Sequence, residues 1–466
     1  MIEPATRFDL VVRGGTVVRA DGSLAADVAI RDGRIAAVEP GIPATAATAS
    51  IDATGLLVLP GVVDVHTHTR IASDDEPDRF FQDTQAAAFG GTTTLLAFDN
   101  PGTGISDGVS GSALAAAHEW LDRTRGDAAI DVGLSAVLTG QQDDPVAELP
   151  ALADLGVASG KCFLVYDFGV DEGRLSELLR ASVAAQVLIE VHGEDREMLD
   201  TGIARQLAVG QHGPLGHALS RPPACEASGT RRAIRAAIDA DAPVYLVHVS
   251  CGDAVEEIAR ARRTGHRVYG ETCPHYLSLD ASRYGLPRAE AMCAVISPPL
   301  RASSERDRMW RAVRDGELDL IATDHVPDCL AREKRDTGQV FTDVSNGAPG
   351  VETLLAVAYG VGVPGGRVSV ERLVDLLSTT PARLFGMPTK GAVLPGRDAD
   401  LVLFDPAARR TISQADLHHT SDFTPYEGLE VDGVVRQVLS RGRVVVRDGA
   451  WLGARGHGRY VPRALD

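Results

Sequence analysis

The sequence predicts an α/β fold: a (β/α)8 TIM-like barrel with a small β-sandwich domain built from both chain termini. Three observations lead there. The middle of the chain alternates short, almost wholly apolar runs with amphipathic helical patterns, which read as parallel strands covered by helices. These runs number eight, enough to close a barrel. Both ends carry short β-type runs broken by Gly and Asp-Gly turns, the texture of hairpins.

From Asp9 to Ile51 the β-type runs are LVVRGG, TVVRA and DVAIRDGRIAAVE. Barrel strands are then expected at Val62–His66, Thr93–Phe98, Ile130–Val137, Ala158–Leu164, Val187–His192, Val244–Val249, Arg267–Glu271 and Asp319–Thr323. Helices are expected at Arg79–Phe89, Ser112–Arg125, Arg174–Ala185, Cys225–Ala240, Asp253–Arg263 and Ser304–Asp315. The β texture returns from Ala399 in DADLVLFD, VVRQVLSRG and RVVVRDG. The expected division is therefore residues 1–57 in the sandwich, 58–385 in the barrel, and 386–466 in the rest of the sandwich and a tail. An open doubly wound sheet would share the alternation, but GxGxxG after a strand and GxxxxGK[ST] are both missing.

The 466 residues are 44% hydrophobic and 24% charged, an ordinary balance for a large globular core. With 46 Lys and Arg against 64 Asp and Glu the formal charge is −18, which disfavours nucleic acid or an anionic membrane as partner and favours a small molecule. The opening MIEPATRFDLVVRGG lacks a basic region followed by an apolar stretch, and no apolar run approaches the roughly 20 residues of a membrane span. A cytoplasmic protein is expected. The six cysteines form no CxxC pair and read as reduced thiols.

Chemistry concentrates at strand ends. In Asp64-Val65-His66-Thr67-His68, residues two apart share a face of the first strand. Two imidazoles and a carboxylate so placed begin a site for zinc or a similar ion. Lys161 lies in the fourth strand, His192 ends the fifth, His248 falls in the sixth, and Asp324 stands just past the eighth. All C-terminal strand ends of a barrel open on one face, so five strands supply polar groups to one mouth. Lys161 sits in ASGKCFLV, where a free ammonium is costly to bury and would repel metal ions. It needs a carboxylate partner, a depressed pKa, or conversion to an anionic carbamate.

These segments resemble the cyclic amidohydrolases, that is, dihydropyrimidinases, hydantoinases, allantoinases and dihydroorotases. The likeness runs from PGVVDVHTH through GKCFLVYD, EVHGED, LVHVS, ETCPHYL, SPPLR, TDHVP and SNGAPGVE to GAVLPGRDADLVLFDP. The resemblance implies a hydrolase that opens the C–N bond of a cyclic amide or ureide with two divalent metal ions, usually Zn2+. It implies that His66, His68 and Asp324 hold one ion, that His192 and His248 hold the other, and that Lys161, carboxylated by carbon dioxide, bridges them. Asp324 would serve as general base and then acid. Tyr166 would stabilise the developing oxyanion. Ser297 and Asn346 would present mainly backbone groups to the ring. Without the resemblance, Tyr166 reads as a packing residue at the rim, and SPP and NG read as turns.

The ring is signalled less uniformly. Tyr166, SPPLR and NGxPGxE resemble dihydropyrimidinases and hydantoinases. Arg70 in HTHTR and Asn100 in FDNPGTG resemble the pair that grips the carboxylate of dihydroorotate, and His275 in ETCPHYL resembles allantoinases. Asp328 in TDHVPD stands where a dihydroorotase would want His and would repel such a carboxylate; Arg70 has Asp74, Asp75 and Glu76 nearby in sequence as alternative partners. The expectation is a hydantoinase or dihydropyrimidinase, with allantoinase or dihydroorotase as the alternative. The acidic segment IASDDEPDR points away from an aryl substituent and towards a polar or cationic one. A scaffold without activity would have no use for a complete ligand set, and a mononuclear deaminase none for Lys161. Relatives suggest a homo-oligomer, tetramer or dimer.

Overall fold

The computed structural model describes residues 7–99, 110–334 and 340–465. Eight parallel strands follow one another in chain order: β1 (Val62–Thr67), β2 (Thr92–Phe98), β3 (Asp131–Val137), β4 (Ser159–Phe163), β5 (Leu188–His192), β6 (Val244–Leu246), β7 (Val268–Thr272) and β8 (Leu320–Ile321). Every residue of β1 to β5 is buried, so neither face alternates with solvent; this is why the runs are largely apolar apart from the residues that supply the site. The ring closes just past β8, where Thr67 bridges His325 and the His68 N–H donates to the His325 carbonyl at 2.7 Å. The eight-stranded barrel expected from the sequence is the fold.

The last strands are shorter than their apolar runs because side chains take over the backbone's bonding. Asp64 accepts from the N–H and the hydroxyl of Thr323, at 3.1 and 2.6 Å, just past β8. His248, two residues beyond β6, has a φ of 42° and leaves the extended conformation.

The six expected helices are present within two residues at each end. Helix Glu172–Ala185 shows why. Asp171 caps it by accepting from the Arg174 N–H at 2.7 Å, and Leu175, Leu178, Leu179 and Ser182 form its buried stripe. Several helices are not legible in the sequence, among them Pro145–Asp154, Arg196–Ala208, Pro214–Ser220 and Leu354–Gly362. Pro145–Asp154 contains two prolines, which punctuate the text, although Pro145 occupies the first turn where proline is tolerated. Arg196–Ala208 buries only Leu199 and so has no apolar stripe to read. Among the described residues, no helix is long and apolar enough to cross a membrane.

Two further sheets lie outside the barrel among the described residues. One has four strands, from Phe8–Arg13, Asp27–Arg31, Arg34–Glu39 and Ala47–Asp52. The other has seven and joins both ends of the chain, because Leu401–Thr411 pairs antiparallel with Leu57–Pro60. Val12, Ile30, Val58, Leu401 and Leu439 belong to one shared core. Asp131 at the start of β3, Asp398 and Asp400 converge as a metal site might. Lys390 already fills the gap, at 2.6, 3.1 and 2.7 Å from the three carboxylates. This buried ammonium ties the N-terminal end of the barrel to the segment that leaves it.

Candidate metal and active site

The C-terminal strand ends bring the titratable residues together. His66 Nε2 is 3.0 Å from Asp324 Oδ1 and 3.0 Å from Lys161 Nζ, and His68 Nε2 is 3.3 Å from the same Asp324 oxygen. His66, His68 and Asp324 each offer a ligand atom within 4.8 Å of the others, and all three are buried. The rings of His192 and His248 lie 4.5 Å apart, and that of His248 lies 5.6 Å from His66. His192 Nε2 is engaged by Glu194 at 2.8 Å, which leaves Nδ1 for an ion. His68 and His248 each have a buried Nδ1 with no partner among the described residues. Imidazole nitrogens and a carboxylate, sealed from solvent with their bonding incomplete, are a donor set suited to zinc or a similar divalent ion.

Lys161 is fully buried, with Nζ over the rings of Phe98 and Phe163 at 4.8 and 5.2 Å. Burial pushes its pKa down; Asp324, Glu190 and Glu271 oppose this, and among the described residues none of them forms an ion pair with Lys161. The paired-carboxylate option for Lys161 is therefore not the one adopted.

Burial would depress His66, but the Glu271 carboxylate at its Nδ1 outweighs burial and carries it up to about 9. At His68 burial outweighs the Asp324 carboxylate and pushes the imidazole down to about 4. Burial alone would raise Asp324, yet His66 and His68 hold it well below the carboxylate range. Tyr166, His248 and Asp324 have φ of 70°, 42° and 50°. Such conformations cost roughly 1–3 kcal/mol each in non-glycine residues and persist where the surroundings impose them.

Two residues at this site differ from the sequence reading. Asp64 shares the face of His66 and His68, but its carboxylate is spent on Thr323 and the His66 N–H, outside the ligand cluster; burial raises it to about 6. Glu271 closes the seventh expected strand and opens ETCPHYL, and the sequence assigns it no role. It holds His66 Nδ1 and accepts from the Tyr245 hydroxyl at 2.7 Å and the His248 N–H at 3.0 Å, so one carboxylate orients two of the clustered histidines. Its place at the inward end of the seventh strand was the available signal. Glu271→Gln should fold and should weaken metal retention about 10- to 100-fold, the usual effect of losing a carboxylate behind a ligand histidine. Metal competition with a chelator measures this, and unchanged retention would remove the assigned role.

Burial pushes the Tyr166 hydroxyl up, and the Arg221 guanidinium and the nearby Asn346 and Ser297 side chains partly offset this; the Ser297 hydroxyl itself has no hydrogen-bond partner among the described residues. The Ser297 N–H donates to the Asn346 carbonyl at 3.3 Å. Gly347 is required here because a Cβ would stand 2.3 Å from Val326. Lys334, unremarked in the sequence, is buried between these loops and donates to the carbonyls of Val295 and Ser345 at 2.7 and 2.5 Å.

Arg70 is paired, although not with Asp74, Asp75 or Glu76. Its guanidinium reaches Asp328 and Glu333, each at 2.9 Å. Glu76 is instead engaged by Arg79 and Arg332. His275 is buried, its pKa pushed down to about 4 by burial, with Nε2 unpartnered. Asn100 lies outside the described residues.

Comparison with known proteins bears on the same constellation. Residues 167–445 match the model of the amidohydrolase family. The D-hydantoinase of Ralstonia pickettii is 38% identical over 462 residues, covering 98% of this chain and 99% of its own. The chain belongs to the amidohydrolase family. The D-hydantoinase of Geobacillus stearothermophilus is also 38% identical, with 97% and 96% of the two chains covered. The crystal structure of dihydropyrimidinase from Brevibacillus agri NCHU1002 superposes with a TM-score of 0.91 at 39% identity over 98% of each chain. This amidohydrolase thus shares the fold and nearly the full length of enzymes named for hydantoins and dihydropyrimidines.

Proposed function

We propose that this amidohydrolase opens the C–N bond of a cyclic amide or ureide of the hydantoin or dihydropyrimidine type. The observation that carries the reading is one mouth in which His66, His68 and Asp324 adjoin an unpaired, buried Lys161, with Tyr166, Ser297 and Asn346 grouped alongside. His66, His68 and Asp324 would hold one divalent ion, zinc in this reading, and His192 and His248 a second. Lys161, as its N6-carboxylate formed with carbon dioxide, would lie between them. When bound, such a pair of ions supplies an acidified water and a polarised carbonyl.

The protein's own groups do the rest. Asp324, held ionised, takes the proton of the attacking water and delivers it to the ring nitrogen as the C–N bond breaks. The Tyr166 hydroxyl, kept protonated by burial, donates to the carbonyl oxygen as negative charge develops there. Because the Ser297 N–H is already given to Asn346, the loops offer the Ser297 carbonyl and the Asn346 N–H to the amide edge of the ring. The same reading makes residues 58–385 the catalytic unit and, on the resemblance alone, the protein a cytoplasmic homo-oligomer.

Arg70 bears on the choice of ring. A substrate carboxylate would have to displace Asp328 and Glu333 from it, which disfavours dihydroorotate. The test is ring opening by the zinc- and bicarbonate-loaded protein on dihydrouracil, hydantoin, 5-substituted hydantoins, allantoin and dihydroorotate. Highest kcat/KM on dihydrouracil or a hydantoin is expected, with a cationic 5-substituent favoured over an aryl one because Asp74 and Asp75 are exposed near the mouth. Best turnover of dihydroorotate would overturn the choice of ring, and the reverse order of substituents would remove the role of the acidic loop.

A further inference from the structure

A second concave site lies away from the catalytic mouth, beside the start of β3. A cavity of about 480 Å³ is lined by Arg34, Arg441, Arg443, Arg459, His457 and two carboxylates, Asp32 and Asp398. The arginines come from three separate parts of the chain: a hairpin of the four-stranded sheet, the turn and strand after residue 440, and the C-terminal tail. In a chain of net charge −18, four guanidiniums around one cavity run against the overall balance.

Of the two lining carboxylates, Asp398 is committed, while the exposed Asp32 has no ion pair among the described residues. Asp398 faces Lys390 at 3.1 Å and Arg34 at 3.8 Å. Asp131, behind the cavity, serves Lys390, the Arg441 guanidinium and the Arg459 N–H. Arg443 and Arg459 have no side-chain hydrogen bond or ion pair among the described residues, yet both line the cavity. His457 Nε2 is sealed from solvent with no partner among the described residues. Arg441 is pushed down to about 10 by its burial and by the like charges of Arg459 and Arg443. Arg34, Arg443 and Arg459 are exposed at the rim while Arg441 and His457 are half-buried, and positive groups held together with donors left over are stabilised by an anion.

We propose that this cavity is a binding site for a small phosphorylated anion, distinct from the catalytic centre. Phosphate fits better than a single carboxylate for two reasons. Guanidinium forks meet tetrahedral oxyanions through paired N–H donors, and several arginines reach different oxygens of one phosphate. The lining also carries four positive against two negative side chains, an excess that a dianion balances. The volume lies within the range of small-molecule sites, so the phosphate can belong to an organic molecule.

The probe is inorganic phosphate, titrated calorimetrically into the metal-loaded protein at low ionic strength. One saturable site per chain is expected, with affinity falling at least about tenfold in R443A/R459A, since two charge-assisted donors are lost. Ring opening without phosphate should be unaltered in that variant, because neither arginine lies at the catalytic mouth. No saturable binding would overturn the proposal. So would equal binding by the parent protein and the variant, which would put the phosphate at the metal centre. A parallel titration with AMP reads the rest of the cavity: tighter, R443A/R459A-sensitive binding assigns an organic phosphate, and weaker binding restricts the site to the free ion.

Discussion

Asp324→Asn should lower kcat/KM for ring opening by at least about 10³-fold, with a melting temperature close to that of the parent. General acid–base catalysis alone supplies roughly 10²- to 10⁴-fold, and Asp324 is also placed to hold an ion with His66 and His68. The substitution isolates charge from shape. Its φ of 50° is one that asparagine adopts more readily than most residues, and an amide is nearly isosteric with the carboxylate. Steady-state rates at matched metal content, with a thermal melt beside them, decide the matter. Activity within about tenfold of the parent would mean that the proton is carried elsewhere, since even the low end of the acid–base range exceeds that.

Lys161→Ala should leave a folded protein that retains at most one metal ion per chain and has lost ring opening by a similarly large factor. Lys161 has no ion pair among the described residues, so the structural cost is the loss of a fully buried long side chain whose Nζ lies over the rings of Phe98 and Phe163. That loss is about 2–5 kcal/mol by analogy with other long side chains truncated in a core. Lys161→Met, which keeps most of the stem, controls for this and should be equally inactive. In the parent protein, activity recovered from metal-free material should depend on added bicarbonate. Two ions per chain bound by Lys161→Ala, or full recovery without bicarbonate, would remove the bridging carbamate from the reading.

Much of this molecule was legible before any coordinates. Barrel strands buried on both faces are largely apolar without alternation, so β1 to β5 stand out in the sequence, and capped helices with an apolar stripe are equally plain. His66 and His68 could be grouped because a strand's period of two puts them on one face, and Lys161, His192, His248 and Asp324 because strand ends of a barrel share a mouth. The helices Pro145–Asp154 and Arg196–Ala208 were hidden by prolines in one and a missing stripe in the other.

What the sequence determined by itself was the class of fold and the set of residues able to do chemistry, because burial and periodicity are local properties written residue by residue. Which carboxylate serves which partner was decided only by the tertiary structure. Asp64 turned to Thr323, Glu271 took His66, and Arg70 closed on Asp328 and Glu333, more than 250 positions away in the chain. The cavity of arginines is of the same kind, assembled from a hairpin, a turn and a tail. Pairings of this sort depend on where distant backbones meet, and no local pattern in the chain records that.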